Sequence, residues 1–262
     1  MSSYRVVSLY SGSRGNSTLI STETSNVLID AGKSAKALCT ALREVGSDIE
    51  NIDAIFITHE HSDHISALDA LSKKHSIPIH ITEASAKKLD RIPDSPVHKN
   101  LVRHDTLFCE EIGNVRISSF RTPHDSMMSV GYRINITCED GSHTVGFATD
   151  VGYASDSVKE GLCGCEAVVL ESNHDLVMLM DGIYPQYLKE RIRSRKGHLS
   201  NVQSAELASY LASMGTHAFL LAHLSEENNQ PQLAFDEINS VLSDPEIRIS
   251  VASPCVPVEL EI

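Results

Sequence analysis

The chain alternates short apolar runs with longer stretches in which apolar residues recur every three or four positions. Short β-branched runs predict buried strands, and the helical spacing predicts amphipathic helices. We expect strands at 4–9, 18–21, 26–29, 52–57, 78–82, 106–108, 115–120, 128–134, 145–149, 167–170, 217–222, 247–251 and 256–262. We expect helices at 33–45, 65–71, 83–89, 155–162, 185–192, 201–214 and 230–242, and a loop at 91–103. This alternation predicts one α/β domain over residues 1–262.

Polar residues of the metal-binding type follow several of the predicted strands. They are Asp30, His59, His124, Asp150, His174 and His223. Strand ends at one edge of a sheet are where α/β proteins place their sites. Asp30 is also suited to cap the helix expected after it. The sequence therefore predicts one polar site that is assembled from widely separated segments.

The densest of these segments is Thr58-His59-Glu60-His61-Ser62-Asp63-His64, between an expected strand and an expected helix. Imidazole and carboxylate groups both bind divalent metals. His59 and His61 alternate, so both can face one ion, whereas Asp63 and His64 follow the turn and can hold a second. The alternatives are a polar turn with chance histidines and a single metal held by three of these residues. We expect a site for two metal ions.

Composition narrows the classes of function. The chain has 262 residues, of which 41% are hydrophobic, and its formal net charge is −13. That charge argues against a generally basic protein that coats nucleic acid, although a local basic groove stays compatible with it. No apolar run approaches the ~20 residues of a membrane span. The six scattered cysteines lack a disulfide-framework spacing, which predicts thiols in a reducing cytoplasm.

The loop at 11–17 is a candidate for phosphate contact. It consists of turn-forming residues and one arginine, and Ser13, Arg14 and Asn16 are its candidate contacts. Such a loop can bring backbone N–H groups close to an anion. A simple hairpin turn is the alternative.

A basic run at 189–196 is the second candidate for phosphate contact. It contains five cations, and a Gly-His-Leu-Ser turn follows it directly. Cations suit phosphate groups, which makes Arg193, Arg195 and Lys196 candidate contacts. A solvated helix face is the alternative.

Neither the aromatic residues nor the remaining histidines indicate a further site. The chain lacks tryptophan and has a 5% aromatic content, so platforms for base stacking look sparse. Four histidines outside the dense motif, His75, His80, His98 and His104, are expected to be packed or at the surface rather than metal ligands.

The H-x-H-x-D-H spacing resembles the signature of the metallo-β-lactamase-fold hydrolases. This resemblance implies a four-layer αββα sandwich and two divalent ions, with Zn, Mn and Fe all accepted by such a donor set. The implied ligands are His59, His61 and His124 for one ion, and Asp63, His64 and His223 for the other. Asp150 matches the carboxylate that bridges both ions. Asp30 matches an aspartate that supports the metal site without binding metal.

Two later segments resemble elements of the transfer-RNA 3′-processing nucleases and phosphodiesterases with this fold. The turn at 197–200 matches the loop with their extra catalytic histidine, which implies a catalytic role for His198. The segment at 171–174 resembles the acidic element that orients this histidine, although its residue order differs. The resemblance thus adds Glu171 and His174 to the catalytic candidates, together with the ligand Asp63.

Several segments together resemble the YycJ family, also called WalJ or VicX, of bacterial cytosolic metallo-hydrolases. They are Y-S-G-S-R-G-N-S, T-H-E-H-S-D-H, E-S-N-H-D, G-I-Y-P-Q-Y-L-K-E-R-I, G-H-L-S-N and L-A-H-L-S-E-E-N-N. The resemblance implies a phosphodiester hydrolase, in particular a 5′-to-3′ exonuclease on DNA linked to mismatch repair, with RNA as a second substrate to consider. The corresponding hypothesis is in-line attack on phosphorus by a hydroxide that bridges both metals, with His198 at the leaving oxygen.

Two other functions are compatible with the same ligand set. One is a thioester or lactone hydrolase that uses the same metals. The other is a catalytically weak regulatory protein of a cell-wall two-component system. The sequence sets neither the identity of the metal nor the oligomeric state.

Overall fold

The computed structural model describes residues 4–242 and 244–262. Its strands are β1 (Tyr4–Tyr10), β2 (Ser17–Thr22), β3 (Asn26–Ile29), β4 (Ala54–Phe56), β5 (Ile79–Thr82), β6 (Leu101–His104), β7 (Cys109–Ile112), β8 (Val115–Arg121), β9 (Val130–Cys138), β10 (Gly141–Ala148), β11 (Ala167–Glu171), β12 (Ala218–Ala222), β13 (Arg248–Val251) and β14 (Val258–Glu259). Its α-helices are α1 (Ala35–Glu44), α2 (Ser62–Ile65), α3 (Leu68–Lys74), α4 (Glu83–Leu89), α5 (Asp156–Leu162), α6 (Leu176–Asp181), α7 (Gln186–Arg193), α8 (Asn201–Ser213) and α9 (Pro231–Val241). Across the described residues, none of these helices has both the length and the apolar character that a bilayer crossing requires.

The strands form two seven-stranded sheets, and each sheet joins an antiparallel part to a parallel part. The first sheet has the order β14-β1-β2-β3-β4-β5-β6, and the second has the order β13-β12-β11-β10-β9-β8-β7. Pairing is parallel from β3 to β6 and again from β10 to β13. Parallel neighbours need crossover connections, which here place helices on the outer face of each sheet.

Three apolar clusters hold the layers together. Side chains from both sheets, such as Phe56 and Ile134, pack against each other in the middle of the molecule. The outer face of the first sheet is covered by α1 through Leu42 and its neighbours. The outer face of the second sheet is covered by α5 and α8, for example through Leu162 and Leu211. The predicted four-layer αββα sandwich is therefore confirmed.

The predictions fail at one edge strand of each sheet, β6 in the first sheet and β7 in the second. The predicted strand at 106–108 is wrong, because these residues connect the two strands. The predicted loop at 91–103 is wrong in part, because it includes the beginning of β6. Both strands consist of half-buried and exposed positions, so they lack the apolar run that identifies a buried strand. The helix α6 was not predicted either. The single domain over 1–262 stays a prediction, and its residues 1–3 and 243 lie outside the described residues.

Three strand ends at one edge have an unusual backbone conformation. Asp30 after β3, Asp150 after β10 and His223 after β12 have φ angles of 63°, 57° and 57°. A left-handed conformation costs a residue other than glycine about 1–3 kcal/mol, and such residues cluster at functional sites. The three residues are also candidates from the sequence, so this edge is the place to look for a site.

Candidate metal centre

The motif from Thr58 to His64 occupies the turn between β4 and α2. His59 and His61 precede the helix, and His61 is its N-cap residue with an extended backbone (φ −68°, ψ 150°). Asp63 and His64 lie within α2. The change from extended chain to helix separates the first pair of side chains from the second, and each pair meets a different distant histidine.

The first pair meets His124. Ligand atoms of His59, His61 and His124 lie within 4.8 Å of one another. His124 Nε2 is 3.4 Å from His61 Nδ1. The Nδ1–H of His124 donates to the carbonyl oxygen of Gly197 at 3.1 Å, which leaves Nε2 to face the other two rings. The structure thus brings together the residues predicted to hold one ion, which we call the first triad.

The second pair meets His223. Asp63 Oδ2 lies 3.3 Å from His64 Nε2 and 3.7 Å from His223 Nε2. Ligand atoms of all three residues again lie within 4.8 Å of one another. We call these residues the second triad, and they are the set predicted for the other ion.

The carboxylate of Asp150 lies between the two triads. Its Oδ1 is 3.6 Å from His124 Nε2 and 3.6 Å from His223 Nε2, and its Oδ2 is 3.3 Å from His64 Nε2. Asp150 is buried, so few water molecules compete for its oxygens. The arrangement fits the bridging position predicted for this residue.

Buried polar atoms without a hydrogen-bond partner indicate whether metal ions fit this centre. His59 Nε2, His223 Nε2 and Asp150 Oδ2 are buried and make no hydrogen bond to the described residues. Buried polar atoms without a partner cost about 1–3 kcal/mol each, so native proteins rarely keep them unless a ligand pairs with them. The donors are imidazole nitrogen and carboxylate oxygen, which suit Zn and Mn, and Fe as well. The residues present therefore fit divalent metal ions.

Asp30 supports the second triad from behind. Its Oδ2 accepts a hydrogen bond from His64 Nδ1–H at 2.8 Å, and its Oδ1 accepts one from the backbone N–H of Thr58 at 2.8 Å. A carboxylate on the outer nitrogen fixes the orientation of a ligating histidine and raises its basicity. The predicted capping role of Asp30 is wrong, because Ser34 caps α1 instead.

Close backbone contacts dock α2 against two loops, the one before β2 and the one after β3. The backbone N–H of Asn16 donates to the carbonyl oxygen of Asp63 at 2.8 Å, and that of Ala31 donates to the carbonyl oxygen of His64 at 2.8 Å. A Cβ atom on Gly32 would lie 1.5 Å from the carbonyl oxygen of Asp63. Only glycine fits at position 32. The close approach of α2, and with it the position of Asp63 and His64, therefore depends on Gly32.

Glu171 connects His198 to the metal centre. Its Oε1 accepts hydrogen bonds from His198 Nδ1–H at 2.8 Å and His223 Nδ1–H at 2.9 Å. Its Oε2 accepts from the backbone N–H groups of Val151 and Leu199. Because four donors already surround this buried carboxylate, it is better suited to orient the two histidines than to bind metal.

His198 lies beside both triads. Its ring centroid is 5.1 Å from that of His124 and 5.1 Å from that of His223. Since Nδ1 donates to Glu171, Nε2 is the ring nitrogen that remains to interact with another group. Of the candidate catalytic histidines, His198 is the one with a partly exposed side chain, at 19%.

His174 is not hydrogen-bonded to this network. Its ring is buried, and neither ring nitrogen has a partner among the described residues. Burial lowers its pKa to about 4, so the ring is neutral near pH 7. Its backbone pairs with the start of α8, where the carbonyl oxygen of His174 accepts from the N–H of Asn201 at 2.9 Å. These contacts suit a packing role better than the predicted catalytic role, which stays a prediction.

Burial is the largest influence on the pKa values of His59 and His124 in the first triad, although Asp150 and Asp125 both lie near His124. Burial lowers the pKa of His59 well below its usual value, and the neighbouring imidazoles of His64, His124 and His61 lower it further. Burial also lowers the pKa of His124. His59 and His124 are therefore held neutral, which is the form that binds metal.

The second triad is surrounded by carboxylates. Burial disfavours a charge on His64, but Asp30 and Asp150 outweigh it and hold the pKa of His64 well above its usual value. For His223, Asp150 and Glu171 likewise outweigh burial and raise the pKa to about 10. This half of the centre therefore attracts cations strongly, whether protons or metal ions.

The loop at 11–17 lies next to the second triad, and its three candidate residues for phosphate contact lie in two different environments. Ser13 and Arg14 are exposed, and Arg14 pairs with Glu226 at 3.5 Å. Asn16 is buried, and its Nδ2 lies 3.3 Å from Asp63 Oδ2 and 3.2 Å from His64 Nε2. Asn16 therefore contacts the metal ligands themselves, which was not foreseen. Phosphate contact by Ser13 and Arg14 stays a prediction.

The cations of the basic run at 189–196 also lie in two different environments. Lys189 and Arg193 contact Met180, through its carbonyl oxygen at 2.6 Å and its sulfur at 3.2 Å. Arg195 and Lys196 are exposed and line a cleft beside His124. The structure therefore places Arg195 and Lys196 at a cleft beside the first triad and turns Arg193 toward Met180, while phosphate contact by these three residues stays a prediction.

The sequence interpretation missed Glu60, which follows His59 in the motif. Its Oε1 accepts from the backbone N–H of Met127 at 2.8 Å, and its Oε2 accepts from the hydroxyl of Ser85 at 2.6 Å. Glu60 thereby ties the motif to the loop that contains His124. A buried acid between two ligands is a possible signal for such a role, but its partners are distant in sequence.

The family of the chain follows from its similarity to known proteins. Residues 25–224 match the model of the beta-lactamase superfamily domain. The exodeoxyribonuclease YycJ of Bacillus anthracis is 32% identical to this chain over 237 residues, which cover 90% of this chain and 88% of that protein. The exodeoxyribonuclease WalJ of Streptococcus pneumoniae is 34% identical over 249 residues, which cover 93% of this chain and 90% of that protein.

Structural similarity agrees with this result. The metallo-beta-lactamase fold protein YhfI of Bacillus subtilis superposes with a TM-score of 0.71 and 19% identity, and the match covers 98% of each chain. At that identity the likeness concerns the fold, while the two exodeoxyribonucleases specify the family. The chain therefore belongs to the YycJ/WalJ family of metallo-β-lactamase-fold hydrolases.

Proposed function

We propose that the protein is a two-metal phosphodiesterase that degrades DNA from the 5′ end. The observation that carries this proposal is the position of His198, which Glu171 holds beside two metal-binding triads that share Asp150. The names of the two relatives, both exodeoxyribonucleases, support DNA as the substrate. Because both relatives are bacterial, and bacterial DNA lies in the cytoplasm, the proposal also places the protein there.

In this proposal each triad would hold its own metal ion. His59, His61 and His124 would hold one divalent ion, Asp63, His64 and His223 the other, and Asp150 would contact both. Bound divalent ions lower the pKa of water and stabilise negative charge on phosphoryl oxygens. Asp30 keeps His64 oriented, and Glu171 does the same for His223.

His198 acts at the leaving group. A water that has lost one proton to the solvent forms a bond from its oxygen to phosphorus, and the bond from phosphorus to the 3′ oxygen breaks. His198 Nε2 donates its proton to that oxygen, while Nδ1–H remains bonded to Glu171 Oε1 at 2.8 Å. General acid catalysis of this kind contributes about 10²–10⁴-fold to the rate.

The test combines metal analysis with end-labelled substrates. The protein loaded with Zn or Mn is incubated with single- and double-stranded DNA and RNA labelled at either end, an aryl phosphodiester and a thioester. Release of mononucleotides from the 5′ end of DNA supports the proposal. Cleavage at internal positions would change the mode of attack, and turnover of the thioester alone would favour the rival hydrolase. Full metal occupancy without turnover of any substrate would favour a regulatory protein.

A further inference from the structure

A cleft of about 640 Å³ opens beside the first triad. Three segments line it: residues between 121 and 129 after β8, residues between 153 and 157 before and within α5, and residues 195–196 after α7. His124 forms part of its wall. We call it the basic cleft. A polymer that reaches the metal centre from this side must pass through it.

Backbone contacts between the three segments hold the walls of the basic cleft in place. The N–H of Gly152 donates to the carbonyl oxygen of Pro123 at 2.7 Å, and the N–H of Asp125 donates to that of Lys196 at 3.0 Å. A Cβ atom on Gly152 would lie 2.3 Å from the carbonyl oxygen of Arg195, so the two loops approach as closely as only glycine allows. The side chains of Arg195 and Lys196 therefore start from a fixed backbone.

The cations in the basic cleft have no acidic partner. Among the described residues, Arg121, Arg195 and Lys196 form no ion pair, although the chain contains 35 acidic residues. Arg191, from the same basic run, is paired with Asp125 at 2.5 Å and is thus neutralised. The charge that remains available faces the cleft, where it can meet an anion.

An aromatic ring lies within the same cleft. The guanidinium carbon of Arg195 is 3.8 Å from the centroid of the Tyr153 ring. A planar cation stacked on an aromatic ring gives a flat surface that tolerates any base, as in proteins that bind single-stranded nucleic acid. The hydroxyls of Ser155 and Ser157 and the side chain of Met127 complete the lining. The cleft thus combines positive charge, a stacking surface and hydroxyl donors.

We propose that the basic cleft binds the unpaired end of a DNA strand next to the scissile phosphate. The Arg195–Tyr153 pair stacks with a base, and Lys196 and Arg121 contact the flanking phosphates. This inference rests on the proposed phosphodiesterase function and adds the form of the substrate, because a base that stacks in the cleft must be unpaired. An end that is already single-stranded should be a better substrate than a blunt duplex.

The test compares cleft variants with a matched pair elsewhere. Lys159 and Tyr210 form a similar contact at 5.6 Å on the outer helices and do not line the cleft. Arg195→Ala and Tyr153→Ala should each lower the ratio of kcat/KM for a 5′-tailed DNA to that for an aryl phosphodiester by about 5- to 150-fold, which is the ~1–3 kcal/mol that the loss of one base stack costs. Lys159→Ala and Tyr210→Ala should leave that ratio within about twofold of the wild type.

Binding is measured separately from turnover. The metal-loaded protein is titrated into a fluorescent single-stranded phosphorothioate oligonucleotide, and the anisotropy is followed at several salt concentrations. Arg195→Ala and Lys196→Ala should weaken binding and each reduce the slope of log K against log salt by about 1. Unchanged ratio and unchanged binding in the cleft variants would overturn the inference. A wild type that binds the oligonucleotide through the cleft but hydrolyses neither substrate would overturn the proposed function and not this one.

Discussion

The metal centre and a second group, His80, His104 and Glu110, contain the same types of side chain. In the second group, which we call the outer histidine cluster, His80 Nδ1 lies 3.0 Å from His104 Nε2, and His104 Nδ1 lies 3.7 Å from Glu110 Oε1. The two rings stack in line with Phe56 and Phe108, at centroid distances of 4.3 Å, 5.1 Å and 4.1 Å along the stack. His80 and His104 are therefore hydrogen-bonded to each other.

The metal centre has the opposite arrangement. There the outer nitrogens of His64, His124 and His223 donate to Asp30, the carbonyl oxygen of Gly197 and Glu171, and their inner nitrogens converge. Several inner atoms have no hydrogen-bond partner in the described part of the chain. From this difference we infer that ligand-type residues at short distances do not suffice for a metal site. The outer nitrogens must also be bound, so that the inner ones are directed at an ion.

Loss of the bridging carboxylate should give the largest effect. We expect Asp150→Ala to remove metal and to lower activity by more than the ~10²–10⁴-fold that the loss of one acid–base group causes. The outer histidine cluster offers the matched control, His104→Ala, which should keep the metal content of the wild type. Metal content and phosphodiesterase activity are measured on the same preparations. Metal loss in His104→Ala, or full metal in Asp150→Ala, would remove the distinction between the two groups.

Removal of the histidine beside the triads should have the next largest effect. We expect His198→Ala to reduce kcat by about 10²–10⁴-fold while metal content stays the same, because His198 acts on the leaving oxygen and is not a ligand. The measurement is single-turnover cleavage together with metal analysis. If metal is lost with activity, His198 is a ligand and the assigned roles must change.

Weakening of an outer contact should have a smaller effect. We expect Asp30→Asn to lower metal affinity by about 10–100-fold, because the amide supports His64 less strongly than the carboxylate does. Glu110→Gln, which makes the same change in the outer histidine cluster, should leave metal affinity unaltered. Competition with a chelator measures both. Equal affinities in Asp30→Asn and the wild type would show that the contact with His64 has no role in metal binding.

The smallest effect on the metal centre is expected from pH titration of the outer histidine cluster, which changes the stability of the fold. Burial, with a contribution from His104, lowers the pKa of His80 to about 4, whereas an unfolded histidine titrates near 6.5. Between these values the unfolded chain binds a proton that the folded chain rejects, so stability is full above pH ~6.5 and falls by up to about 3 kcal/mol as pH drops toward 4. His80→Asn should remove this part of the pH dependence in urea unfolding, whereas the exposed His217→Asn should retain it. Parallel curves for His80→Asn and the wild type would contradict the assigned pKa.

The buried parts of the fold were predictable because their patterns are local. Strands such as β4, β11 and β12 are buried on both faces and therefore appear as continuous apolar runs. The edge strands β6 and β7 were not, since their half-exposed residues give no such run. Their positions depend on pairing with β5 and β8, which is a tertiary interaction.

The candidate site likewise has one part that a local pattern predicts and one part that it does not. His59, His61, Asp63 and His64 occur within six residues, so the turn from a strand into a helix is enough to gather them, and the sequence alone determined this half of the centre. The resemblance to a family supplied the distant ligands, but no spacing in the chain shows that they meet.

Tertiary structure alone decided how the distant groups converge. His124, Asp150 and His223 reach the motif because two sheets pack face to face and align their strand ends at one edge. The same packing turned Asn16 toward the metal ligands. Within the described part of the chain, it also left the ring of His174 without a hydrogen bond, and Arg195 and Lys196 without an acidic partner. Local patterns report which residues are buried, but contacts between distant segments depend on the summed packing of the whole core, which no short stretch of sequence encodes.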